Sequence, residues 1–159
     1  MKKYSIFDRI IDICGVVILI IMWYHTFSNY NYLPSSIPTH YNWFGEVDGF
    51  GQKQIISIMP IFASVLFVGF SLINHFLSGN KPSILKFNSI QIFWCNRLIS
   101  LLKLIFVLII GLIHYKTIQI AFGKCDSLGS WFVSVSFSII MLVLIYFLNK
   151  IIKTNSNKL

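Results

Sequence analysis

Four long apolar runs, at 10–27, 55–77, 98–115 and 131–149, dictate what this chain can fold into. A helix needs about 20 mostly apolar residues to cross a hydrocarbon layer of roughly 30 Å, and each run approaches or exceeds that length. Backbone polar groups in lipid must be paired within the segment or around a closed barrel. None of the runs alternates polar with apolar residues as barrel strands do, so helices are expected. Composition agrees: 56% of the 159 residues are hydrophobic and 11% are charged, against about 25% charged in soluble domains. The expected fold is an all-α integral membrane protein, one domain over residues 1–159, with the lipid bilayer as its main partner.

Orientation follows from the basic residues in the short connections. With a cytoplasmic N-terminus, Lys2, Lys3, Arg9, Lys81, Lys86, Arg97, Lys150, Lys153 and Lys158 fall inside, and Lys53, Lys116 and Lys124 fall outside. Nine against three places both termini in the cytoplasm and the connections 28–54 and 116–130 outside. The formal charge of +8 is spread in small clusters between apolar runs rather than as a stripe, so nucleic acid is not an expected partner. The start Met1-Lys2-Lys3 and its apolar run look like a secretory signal, but the bulky Trp23 to Asn29 that follow offer no small-residue cleavage site. An uncleaved first helix is expected.

Cys14, Cys95 and Cys125 have no CxxC or Cys/His spacing, so neither a disulfide framework nor a zinc site follows. Two charges fall within or close to the spans. Asp12 lies about one turn from Asp8 and Arg9, and is expected to be solvated or Arg-paired. Lys103, about six residues inside the third span, is expected to snorkel to the cytoplasmic headgroups; the alternative is pairing with Asp12 inside the bundle. In 83–97, Ile84, Phe87, Ile90 and Trp94 recur every three to four positions, which suggests an amphipathic helix on the interface or running straight into the third span. The 116–130 connection is expected to cap the one before it.

The polar stretch 33–53 is the candidate functional surface, with binding residues Pro38, His40, Asn42, Gly45, Glu46, Asp48 and Lys53. Pro34 and Pro38 force an extended entry. Side chains then alternate, with Ile37, Thr39, Tyr41 and Trp43 on one face and His40 and Asn42 on the other. Gly45, Gly49 and Gly51 supply turns that bring Glu46 and Asp48 back towards His40. Three readings compete: the residues satisfy one another, they form a recognition surface for a peptide, headgroup or partner, or His40, Glu46 and Asp48 serve as metal ligands or as acid and base. No nucleophile elbow, P-loop, HExxH or dinucleotide fingerprint occurs, so no catalytic residue, metal or cofactor is assigned. A small membrane enzyme or transporter using His40, Glu46 and Asp48, or the Asp12 and Lys103 pair, is the alternative function.

The run Leu33-Pro34, Ile37-Pro38-x-His40-x-Asn42-x-x-Gly45-Glu46-x-Asp48-Gly49-x-Gly51-x-Lys53, set between two spans, resembles the signature of the SdpI-type bacterial membrane proteins. The resemblance covers about 10–77; Arg97 with Leu101-Leu102-Lys103 is similar to the family's third helix, less diagnostically. It implies a multi-pass protein of the bacterial inner membrane, with immunity to a secreted peptide toxin or signalling through a cytoplasmic repressor as the expected role. Toxin-immunity members carry further membrane helices after the fourth, which have no counterpart among residues 1–159.

Overall fold

Between Asn88 and Phe122 the sequence contains no proline and a single glycine, and the longest helix, α3 (Ser89–Ala121), runs through it unbroken. The computed structural model describes residues 6–79 and 87–156. At 1.5 Å per residue the 33 residues of α3 extend about 50 Å, more than the roughly 30 Å of a bilayer core. Its ends therefore reach beyond the apolar slab, and α1 (Ile6–Asn29), α2 (Ile58–Gly79) and α4 (Phe132–Ser156) pack around it. Asn88 starts α3 with a capping box: its side chain accepts from the Ile90 and Gln91 amides, and Gln91 reaches back to the Asn88 amide.

The helices alternate in direction. Asp8 of α1 meets Arg97 of α3 at 3.6 Å, Asn96 of α3 donates to Ser78 of α2, and Asn88 donates to the Thr154 carbonyl of α4. The start of α1, the end of α2, the start of α3 and the end of α4 thus share one end of the bundle, labelled inner, and the segment between α1 and α2 lies at the opposite end, labelled outer. Pro60, the third residue of α2, sits where its missing N–H has no intrahelical partner to lose. Outward faces carry exposed large apolar residues, among them Val65, Val68 and Leu72 on α2 and Phe137, Leu142 and Ile145 on α4, the surface that lipid rather than water solvates. Three helical segments, Lys53–Ser78, Ser89–Ala121 and Phe132–Thr154, are long and apolar enough to cross a membrane.

The helical fold is interrupted where the sequence announces an extended polar stretch, which here pairs with itself. Between α1 and α2 the chain forms an antiparallel hairpin, β1 (Ser36–Tyr41) and β2 (Val47–Gln52), followed by a 3-10 turn (Lys53–Ser57). Strand propensity is weak in this stretch, since β1 contains a proline and β2 two glycines. Burial supplies what propensity lacks: Ile37 packs with Leu33, Ile56 and Ile118 into a small core under the hairpin. The helices also run longer than the apolar runs that announce them, 6–29 for 10–27, 89–121 for 98–115 and 132–156 for 131–149. The 83–97 stretch, from Ser89 onward, is continuous with α3 rather than a separate surface helix. Its first residues, the α2 stop at 80–82, and Lys2, Lys3, Lys81, Lys86 and Lys158 lie outside the described residues.

Candidate functional site

The hairpin is anchored by some of its side chains and exposes others. Pro38 and Ile37 are buried against the helix ends, and the Tyr41 hydroxyl meets the Thr117 hydroxyl of α3 at 2.7 Å. Burial pushes the Tyr41 phenol above its ordinary pKa of 10.0, the Thr117 hydrogen bond opposing this and the nearby Cys125 adding to it. Strict alternation of the strand fails, because the β1–β2 register shifts on both sides of His40. As a result Pro38 is covered, and Trp43, expected on the covered face, is 81% exposed.

Asn42 builds the tip. Its side-chain oxygen accepts from the Phe44 and Glu46 amides at 2.9 and 3.0 Å, and its side-chain nitrogen donates to the Glu46 carboxylate at 2.8 Å. This is an Asx-type closure, in which a short polar side chain replaces backbone bonds that the turn cannot make. Gly45 completes it with φ +74°, a left-handed conformation that costs an L side chain energy. The Leu128 amide donates to the Gly45 carbonyl at 2.8 Å, and Glu46 bridges to Ser127. The 122–131 connection therefore clasps the tip, with Leu128 buried beneath it.

His40 and Asp48 form the exposed centre. His40 pairs across the hairpin with Gly49, where a Cβ would lie 2.9 Å from the His40 Cβ, so only glycine lets the histidine backbone approach. The neighbouring Asp48 carboxylate accepts from His40 Nδ1 at 2.5 Å, with the side chains 73% and 42% exposed. In the neutral ring, a carboxylate on Nδ1 selects the tautomer that leaves Nε2 as a hydrogen-bond acceptor. Trp43, Phe44 and Phe50 are exposed on the same hairpin.

The seven candidate residues thus separate into roles. His40 and Asp48 face outward together, Asn42, Gly45 and Glu46 shape the tip, and Pro38 is a buried anchor. Lys53 stands apart at the hairpin base, its ammonium 5.1 Å from the Tyr30 ring centroid. It lies beside a cleft of about 490 Å³ lined by Thr26, Phe27, Tyr30, Asn31, Gln54 and Ser57. Among the described residues no group of three or more His, Cys, Asp or Glu gathers to hold a metal ion.

Deeper in the bundle, two of the buried polar side chains among the described residues are ionisable, Lys103 and His114. The snorkelling expectation for Lys103 is overturned: it is fully buried, and its ammonium donates to Asp12 of α1 and, at 3.1 Å, to the Ser71 hydroxyl of α2, above the Phe67 ring. The stem follows the seam between three helices, where carboxylate and hydroxyl supply what the headgroups would have. Near the outer end, His114 of α3 and Thr26 of α1 bond at 2.8 Å. The Thr26 hydroxyl donates to the Met22 carbonyl, so it accepts from His114 Nε2–H. His25 lies beside this pair, its ring centroid 6.0 Å from that of His114. The sequence reading missed His114 and Thr117; an ionisable residue inside an apolar run is itself the signal that marks the histidine.

A family described as a domain of unknown function (DUF1648) matches residues 17–63, which span the outer part of α1, the hairpin and the first turns of α2. No curated protein and no solved structure matches the chain.

Proposed function

We propose that this is a four-span protein of the bacterial inner membrane whose outer hairpin recognises an extracytoplasmic peptide, as in the SdpI-type immunity proteins it resembles. The observation that carries the reading is that the hairpin is both anchored and exposed. The Ile37 core and the Tyr41–Thr117 bond lock the hairpin to α3, while Trp43, Phe44, Phe50 and the His40–Asp48 pair stay exposed on the same hairpin. Exposed aromatics on a rigid support lose little entropy on binding and are the residues that dominate recognition energetics. A polar pair on the same hairpin sets the register of a bound backbone.

Two considerations support the membrane arrangement. α1 carries exposed Ile10, Ile13, Val17, Ile20 and Ile21 along its length, a lipid-facing surface equivalent to those of α2 and α4. Its charges, Asp8, Arg9 and Asp12, are confined to the inner end, which the nine-to-three distribution of basic residues assigns to the cytoplasm.

The test is survival of cells that express the chain and face a secreted membrane-active peptide toxin, with membrane levels matched. Protection is expected from the parent chain, with loss in His40→Ala and in Trp43→Ala combined with Phe44→Ala. Full protection by both variants refutes the assignment of the hairpin, and absence of protection by the parent chain refutes the immunity role.

A further inference from the structure

Polar residues line one seam of the bundle at helical spacing. On α2 they are Ser78, Asn74 and Ser71; on the antiparallel α3 they are Asn96, Ser100 and Lys103. Steps of three and four residues keep each set on one helix face, and the sets meet rung by rung. Asn96 donates to Ser78 at 3.2 Å, Asn74 to Ser100 at 2.9 Å, and Lys103 to Ser71 at 3.1 Å, with Asp12 of α1 closing the last rung. The ladder starts at the inner end and climbs about 10 Å into the apolar slab.

Above it the seam is closed by apolar side chains. The Phe67 ring underlies the Lys103 ammonium, Val107 is completely buried, and Ile18 and Met22 crowd Gly111. Below that plug, the ladder is short of partners. Asn74 Oδ1 and Asn96 Oδ1 are both buried without a hydrogen-bond partner, although Asn74 is only 2% exposed. Turning either amide round merely exchanges which of its two heads is orphaned. Two orphaned amide heads one rung apart, in a seam leading to a buried ion pair, are what ordered water satisfies.

We propose that the α2–α3 seam is a water-filled inlet, open at the inner end and closed at Phe67 and Val107, that lets the Lys103–Asp12 pair exchange protons with the aqueous phase on that side. A hydronium arriving there gives its proton to an Asp12 carboxylate oxygen and leaves as water. The neutral acid no longer balances the Lys103 ammonium, and return of the proton to water restores the pair. The charged groups around the exchange are Asp12 and Lys103 themselves and, one to two turns nearer the mouth, Asp8 and the exposed Arg9 of α1 and Arg97 of α3. α2 contributes hydroxyls and an amide, its His75 being exposed.

The test uses the full chain with Cys14, Cys95 and Cys125 replaced by alanine, in sealed vesicles of each orientation. Ser78→Cys, Ser100→Cys and Ser71→Cys are treated with 2-aminoethyl methanethiosulfonate, and free cysteine trapped on the far side quenches any reagent that crosses. Serine and cysteine are close in shape, so the bundle is retained. Reaction requires the thiolate, which forms only in contact with water, so all three are expected to react from the inner-end side roughly tenfold or more faster than the lipid-facing Leu72→Cys and Ile73→Cys. Reaction of Ser100→Cys and Ser71→Cys no faster than at those two positions, or from the opposite side, overturns the inlet. The unmodified protein gives an independent reading by NMR. Magnetisation transfer from water to the Asn74 side-chain amide is expected to match that of exposed Asn31, and its absence overturns the proposal.

Discussion

Breaking the Lys103–Asp12 pair from its two sides should cost unequal amounts. Lys103 is wholly buried, whereas the Asp12 side chain remains 29% exposed. Asp12→Ala therefore strands an ammonium that has only Ser71 and the face of Phe67 to compensate it. Removing one member of a buried pair costs about 3–5 kcal/mol, and partial exposure of the carboxylate favours the lower end. At about 2–4 °C per kcal/mol for a chain of this size, the melting temperature should fall by on the order of 10 °C. Lys103→Met keeps the stem volume and leaves a carboxylate that can turn towards water, so a smaller loss of about 1–2 kcal/mol is expected. The double variant carries no orphaned charge and should be more stable than Asp12→Ala alone. Thermal unfolding in detergent, followed by loss of the monodisperse gel-filtration peak, measures all three. A double variant less stable than Asp12→Ala, or Lys103→Met as the worse single change, would refute the burial argument.

Three further outcomes concern the outer end. Gly45→Ala imposes a side chain on a left-handed residue, at a cost of about 1–2 kcal/mol, and puts its Cβ 2.7 Å from the Gly129 carbonyl oxygen; limited proteolysis should then cut the 122–131 connection faster than in the parent chain. Tyr41 is an acid whose folded-state pKa is raised, so the fold favours its neutral phenol. Its contribution is complete below pH 10 and is lost as pH rises through the folded value. Absorbance titration of the seven tyrosines should show a late component that Tyr41→Phe removes, with hairpin stability falling over the same alkaline range only in the parent chain. Ser35→Cys, beside β1 and exposed, should react with an impermeant thiol reagent in intact cells, and reaction only after lysis would reverse the proposed orientation.

The sequence makes the helices legible because length and apolar composition act locally: a run that must satisfy its backbone in lipid has one solution. At the start of α3 the spacing of Ile90 and Trp94 announces helix but leaves open whether it joins the span, while Lys116 to Ala121 mix polar and apolar residues and carry no such signal. In the loop, Pro34, Pro38 and the glycines announce extended chain and turns, but not that Ile37 would find Ile56 and Ile118 and so pair two weak strands. Asn42 and Glu46 have the chemistry of ligands, and their side chains also bond each other across the turn, a pairing that spacing alone does not announce.

Lys103 shows where local reasoning reaches its limit. Distance from the helix end alone makes snorkelling the cheaper choice, because one flexible stem can reach the headgroups. Local reasoning names Asp12 as the alternative partner but not Ser71; the two lie 91 and 32 residues away in sequence and converge on the same point only once α1, α2 and α3 have packed. A buried charge with partners on two other helices ties their registers together, since sliding any one helix by a turn would separate the ammonium from its carboxylate. The same pairing aligns α1 with α3 at the far end, where Thr26 meets His114 and α3 carries Thr117 to the hairpin. The buried pair and the exposed hairpin are therefore mechanically linked through α3, and a substitution at Lys103 should alter the outer face it never touches.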